Sequence, residues 1–191
     1  MTDIETPRPL RVIAFAGSLR ASSYNRALLR AAQEVAPAGM EIEIHDIGQI
    51  PLYNEDVERA GTPPAVEAFR QAIRAADAML IAVPEYNHGV PGVLKNAIDW
   101  ASRPPRQSPL AGKPTAIFGA SPGQTGTARA QTQLRNSFVF TDTPVLPQPE
   151  VLVFRAHEKF SADGHLTDEP TREWIGRLLV ALADWTRRLA R

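Results

Sequence analysis

The chain has 191 residues, with 21 Lys and Arg balanced against 21 Asp and Glu, and it contains no cysteine. That length suits one domain that buries about 70% of the surface its unfolded chain exposes. The balanced charge lacks the basic footprint of a nucleic-acid binder. Without thiols there are no disulfides, thiolate metal sites or cysteine nucleophiles.

In chain order, residues 1–9 are polar, carry two prolines and lack the apolar core of a signal peptide, which predicts a flexible N-terminal tail ahead of a single domain over 10–191. No run approaches the roughly 18 consecutive apolar residues of a membrane span, so no membrane partner is expected and the expected location is cytoplasmic. Apolar runs and helical periods then alternate. Strands are predicted over 10–16, 40–45, 78–83, 114–120 and 150–154, and helices over 25–35, 63–76, 91–102, 127–140 and 171–189. The alternation predicts an α/β fold, a doubly wound five-stranded parallel sheet in the order 2-1-3-4-5 with helices on both faces. In that order the carboxyl ends of the first and third strands meet at the switch point, where such sheets bind ligands.

Helical spacing also names expected core stripes: Leu28, Ala32 and Val35; Val90, Leu94, Ala97, Ile98 and Ala101; and Trp174, Leu178, Ala181, Leu182, Trp185 and Leu189. Lys95 and Asp99, at i and i+4, read as a surface pair.

Two loops follow strand candidates at the predicted crevice. After the first strand, Gly17-Ser18-Leu19-Arg20-Ala21-Ser22-Ser23-Tyr24-Asn25 combines a turn glycine with hydroxyl, amide and guanidinium groups at a helix N-terminus, a composition suited to an anion such as a phosphate. Ser22 or Ser23 serving only as an N-cap is the competing reading. Neither GxGxxG nor GxxxxGK[ST] occurs at this turn, which argues against a dinucleotide held in the Rossmann manner and against a P-loop, and leaves a mononucleotide. After the third strand, Pro84-Glu85-Tyr86-Asn87 lies where an open α/β sheet holds a planar cofactor.

Together these residues resemble the NADPH-dependent FMN reductases of flavodoxin-like fold, which include bacterial quinone, chromate and azo-dye reductases. The likeness rests on G-S-L-R-x-x-S-x-N at Gly17 to Asn25, on P-E-Y-N at Pro84 to Asn87 with P-G-x-L-K-N-A-I-D-W at Pro91 to Trp100, and on G-A-S-P-G at Gly119 to Gly123. It extends to P-E-V at Pro149 to Val151 and D-G-x-L-x-D at Asp163 to Asp168, and so covers most of the chain.

The resemblance implies non-covalently bound FMN with NADPH or NADH as electron donor. It implies that Ser18, Arg20, Ser23 and Asn25 hold the phosphate and ribityl end, that Pro84, Glu85, Tyr86 and Asn87 face the isoalloxazine, and that Ser121, Pro122 and Gly123 close its other side. It implies ping-pong hydride transfer through the flavin to small-molecule acceptors such as quinones, azo compounds, free flavin or chromate. A homodimer or homotetramer is implied as well, with Arg129 and Glu150 either at subunit contacts or as ordinary surface charges. Thr132 stands where some members carry a larger aromatic residue. No acid–base residue is assigned, because hydride transfer to a flavin requires none. The four histidines at 45, 88, 157 and 165 lack metal-ligand spacing, so no metal is expected; His88, next to the flavin loop, is either a substrate contact or a solvated loop residue. The alternative class is a flavodoxin-like FMN electron carrier between protein partners, which the neutral charge and the G-S-L-R loop disfavour. A scaffold that kept the fold and lost the flavin is disfavoured by the intact loops.

Overall fold

The computed structural model describes residues 8–190. Its elements are β1 (Leu10–Ala16), α1 (Tyr24–Glu34), β2 (Met40–Ile44), α2 (Glu55–Ala60), α3 (Pro64–Ala75), β3 (Ala78–Ala82), α4 (Gly92–Ala101), β4 (Thr115–Ala120), α5 (Ala128–Ser137), β5 (Val151–Val153) and α6 (Glu169–Leu189), with a 3-10 turn at Ala156–Glu158. The strands form one parallel sheet in the order β2-β1-β3-β4-β5. This is the flavodoxin-like arrangement expected from the alternation of elements. Most of the proposed tail lies outside the described residues; Arg8, at its end, forks onto Asp77 with 2.8 and 2.7 Å hydrogen bonds.

The sheet is central because its inner strands are apolar on both faces, as parallel strands between helical layers must be. Val12, Ala14, Leu80 and Phe118 point to the side covered by α1 and α6, whereas Ile13, Phe15, Ile81 and Ile117 point to the side of α3, α4 and α5. Burying each of the larger side chains contributes about 1.5–3 kcal/mol. On the second side Phe15 and Phe69 pack edge to face at 5.1 Å, and fully buried Trp100 donates its Nε1 proton to the Pro51 carbonyl at 2.8 Å.

Edge strand β2 reads Met-Glu-Ile-Glu-Ile, with Glu41 exposed, and the Gln33 amide of α1 donates to the Ile42 carbonyl at 2.8 Å. A charged edge with an occupied carbonyl resists pairing with another chain.

The structure departs from the periodicity reading in four places. Helix α2 falls in a stretch to which periodicity assigns no element: it buries no residue, so no apolar stripe announces it, and it stands on an Asn54 N-cap and the Glu55–Arg59 pair. Helix α5 ends at Ser137 instead of 140, because Phe138 caps it and the chain turns back through Asp142 at φ 52°. Strand β5 spans only three residues and runs straight into the 3-10 turn.

The fourth departure concerns the α6 stripe. Its buried face is Thr171, Ile175, Leu178, Leu179, Leu182, Ala183 and Thr186, while Trp174 and Leu189 are exposed and Ala181 and Trp185 are half-buried. Spacing admits several rotations of the helix; the one adopted lets the Trp185 indole reach the Pro144 carbonyl at 3.1 Å. The α4 stripe is buried as expected from Leu94 to Ala101, with Val90 packed against it ahead of the helix, and Lys95 pairs with Asp99 at 2.6 Å on the exposed side.

Helix α6 starts at an Asp168 N-cap, whose carboxylate accepts from the Thr171 amide at 3.0 Å and from Lys159 at 3.0 Å. The Thr171 hydroxyl, with help from Lys159, holds the Asp168 carboxyl below its ordinary value of 3.8. A depressed folded-state pKa stabilises the fold fully above the unfolded value, and that contribution is lost as pH falls through the folded one. Asp168→Ala is therefore expected to cost about 0.5–2 kcal/mol at neutral pH. In denaturant titrations across pH, the gap between wild type and variant should narrow below pH 3.8, the ordinary value for the group.

Candidate functional site

The carboxyl ends of β1, β3 and β4 converge at the top of the sheet. Gly17 follows β1, and its amide donates to the Ala82 carbonyl at 2.9 Å, which sets the first loop beside the end of β3. A Cβ at Gly17 would stand 3.0 Å from Leu94 and from Pro84, so the glycine is required by close packing of the two loops.

Beyond Gly17 the backbone N–H groups of residues 18–22 have no acceptor among the described residues. They run up to the N-terminus of α1, where Ser23 is the N-cap, its Oγ accepting from the Asn25 amide at 3.2 Å and the Arg26 amide at 3.5 Å. The N-cap reading of this serine is the one observed, and a capping hydroxyl keeps its own proton to donate. Arg20 is exposed and has no ion-pair partner among the described residues. Amides without an acceptor, a helix N-terminus and a guanidinium without an ion-pair partner make a donor set chemically suited to an anion.

Asn25, expected at the phosphate and ribityl end, docks onto β4. Its Nδ2 donates to the Ala120 carbonyl at 2.9 Å, and its Oδ1 accepts from the Ala120 amide at 3.0 Å. Both polar atoms thus engage the end of β4, with the second Nδ2 proton left over. The side chain is buried, and it staples the first loop to the third.

The middle loop is a preformed hairpin. Tyr86 and Gly89 exchange two backbone hydrogen bonds, of 3.1 and 3.0 Å, around Asn87 and His88 at φ 50° and 63°. Consecutive left-handed residues are the signature of a tight two-residue hairpin turn, and asparagine and histidine are among the non-glycine residues that adopt this backbone most readily. The hairpin is held from α5: Gln133 Oε1 accepts from the Val90 amide at 2.6 Å and lies 2.8 Å from where a Cβ of Gly89 would be. The Tyr86 hydroxyl reaches Ser18 Oγ at 3.2 Å and links this loop to the first.

Glu85 turns its carboxylate away from the crevice and onto the N-terminus of α5. One oxygen accepts from the amides of Arg129 and Ala130, at 3.0 and 3.2 Å, and the other from the Arg129 guanidinium at 3.1 Å. Its side chain is 8% exposed. A carboxylate on two orphan amides at a helix N-terminus is stabilising by charge and by capping. Arg129 thereby pairs within the chain with Glu85, while Glu150 lies near Arg135, whose guanidinium is lowered by burial and raised by Glu150.

The last loop is fixed from β5. Ser121 donates its amide to Val153 at 2.9 Å and accepts from Ala156, and Gly123 accepts from Arg155 at 3.1 Å.

The three loops enclose a pocket of about 70 Å³, room for one small group, opening onto the surface. Nine of the eleven residues named from the sequence line it: Ser18, Arg20, Ser23, Asn25, Pro84, Glu85, Tyr86, Ser121 and Pro122. Asn87 and Gly123 lie outside the enclosed part, at the hairpin tip and beyond Pro122, and His88 is exposed beside Asn87. Tyr24 and Ala120 line it without having been named; the N-terminal position of Tyr24 on α1 was the available signal. Gln133 was missed too, and nothing local marks it. Asn25→Ala is expected to cost about 1–3 kcal/mol by orphaning a buried N–H and C=O. Denaturant unfolding would measure it, as a lowered midpoint at unchanged slope.

The family model described as NADPH-dependent FMN reductase matches residues 10–158. The chain is 57% identical over 180 residues to an NAD(P)H-dependent FMN reductase of Pseudomonas aeruginosa, covering 94% of this chain and 97% of that protein. It is 44% identical over 176 residues to a quinone reductase of Pseudomonas putida, covering 92% and 94%. Among solved structures, FerB, a flavoenzyme NAD(P)H:acceptor oxidoreductase from Paracoccus denitrificans, superposes with a TM-score of 0.85 at 38% identity over 93% of this chain and 97% of that one. With the family model spanning all three crevice loops, the chain belongs to the NADPH-dependent FMN reductase family of oxidoreductases.

Proposed function

We propose that this protein carries reducing equivalents from NAD(P)H through bound FMN to quinone-type acceptors. The observation that carries the reading is the run of unpaired amides at residues 18–22 beside Arg20, set against a preformed hairpin at Tyr86–Gly89. A phosphate at one end and a flat ring at the other match that donor set. Bound FMN supplies a hydride acceptor that later releases its electrons.

The chain's own work is binding and alignment. The first loop and Arg20 hold the phosphate, with Ser18 and Ser23 donating hydroxyl protons. The hairpin and the Ser121–Gly123 turn fix the ring plane, and free amides at Glu85 and Asn87, which have no acceptor among the described residues, face charge that develops on the ring. Asn25 and Glu85 position those loops through Ala120 and α5. A crevice open on one side admits donor and acceptor by turns, which supports a ping-pong order, and its openness suits azo compounds, free flavin and chromate as well as quinones.

A homodimer or homotetramer is also proposed. Its support is the adjacent pair Val139 and Phe140, 79% and 86% exposed where α5 ends, since large apolar side chains left bare together mark contact surfaces. No helix among the described residues is long and apolar enough to cross a membrane, and reliance on NAD(P)H supports a cytoplasmic setting.

The test is an anaerobic spectrum of FMN-loaded protein before and after NADPH or NADH. Bleaching of the flavin band is expected; flavin that binds yet stays oxidised with both donors would assign the carrier function instead. Arg20→Ala is expected to weaken FMN binding by about 1.5–3 kcal/mol, the worth of a hydrogen bond to a charged group, and calorimetric titration of flavin-stripped protein would measure it.

A further inference from the structure

On the far side of the phosphate loop from the ring pocket lies a second cavity, of about 470 Å³, between α1 and the segment that follows β5. It shares Arg20, Ser23 and Tyr24 with the ring pocket, so one wall serves both. A volume in the range of small-ligand sites, opening directly off an anion site, invites a ligand that continues past the first phosphate.

The lining has three kinds of chemistry. Arg20 and Arg30 have no ion-pair partner among the described residues, and His157 adds a third basic group, with Glu158 3.4 Å away. Tyr24 and Phe160, packed at 5.2 Å between ring centroids, supply an aromatic wall. On the rim Asp163 is exposed, bonded to the Ser161 hydroxyl and 3.5 Å from His165. Guanidinium groups suit a phosphate, an aromatic wall suits a base, and a carboxylate suits ribose hydroxyls while opposing a 2′-phosphate.

We infer that this cavity is a subsite for an adenylate joined to the flavin phosphate, so that the protein binds FAD as well as FMN. The inference rests on the proposed flavin site. In it the two phosphates of FAD straddle Arg20, the second lies between Arg20 and Arg30, and the adenosine extends along Tyr24 and Phe160 toward Asp163. The carboxylate on the rim disfavours the alternative source of adenosine phosphate, the 2′-phosphorylated half of NADPH.

Calorimetry of flavin-stripped protein with FMN, FAD and adenosine 2′,5′-bisphosphate tests it. FAD is expected to bind within about tenfold of FMN, a span of 1.4 kcal/mol. Arg30→Glu, which touches the second cavity alone of the two, is expected to weaken FAD by about tenfold or more and leave FMN within about twofold. Ala162→Trp, which narrows the same cavity from an exposed loop, should have the same selective effect. FMN binding with FAD weaker by more than about a hundredfold, or FAD affinity indifferent to both substitutions, would overturn the subsite. Bisphosphate binding lost in Arg30→Glu, with FAD unaffected, would reassign the cavity to the nicotinamide donor. Failure of both flavins to bind would instead remove the flavin reading itself.

Discussion

The docking of Asn25 onto Ala120 ties the first crevice loop to the third, and it is the longest-range constraint on the top of the sheet. In a parallel sheet the strands end side by side, but the loops that leave them are free to splay; a primary amide that pairs with both backbone groups of a residue 95 positions away removes that freedom. Other cross-links add to it. Tyr86 reaches Ser18, and Glu85 holds the start of α5, so each loop is held by another loop or by a helix that already packs on the sheet. Because these links are hydrogen bonds in buried or half-buried surroundings, breaking one leaves partners unsatisfied and costs more than the bond contributes.

The same logic separates groups left free to meet a ligand from side chains that hold the loops in place. Ser18, Arg20 and the bare amides before α1 present free donors. The side chains of Asn25 and Glu85 are spent on the protein itself, Asn25 on both backbone groups of Ala120 and Glu85 on the start of α5. Both kinds of residue sit in the same short motifs, and a motif alone does not distinguish them.

That is also why the fold was easier to read from the chain than the site. The inner strands announce themselves as apolar runs, such as Val12 to Ala16 and Met79 to Val83, because burial on both faces leaves no place for a polar residue. Their order followed from the alternation with helices. Helix α2 was invisible because nothing in it is buried, and Trp174 was misplaced because an apolar side chain at helical spacing does not reveal which way the helix is turned. In the crevice the loops could be located from composition and from the family resemblance, yet the partner of Glu85 lies 44 residues further on. A tertiary contact of that kind leaves no trace in local pattern.

The paired left-handed residues at Asn87 and His88 have a kinetic consequence. A loop already closed by two backbone hydrogen bonds and anchored by Gln133 has no folding step left to perform when a planar molecule arrives. Its conformational entropy was surrendered during folding, where the sheet supplied the driving force. Under the proposed function, exchange of one flat reactant for another over that surface would not have to wait for this hairpin to form.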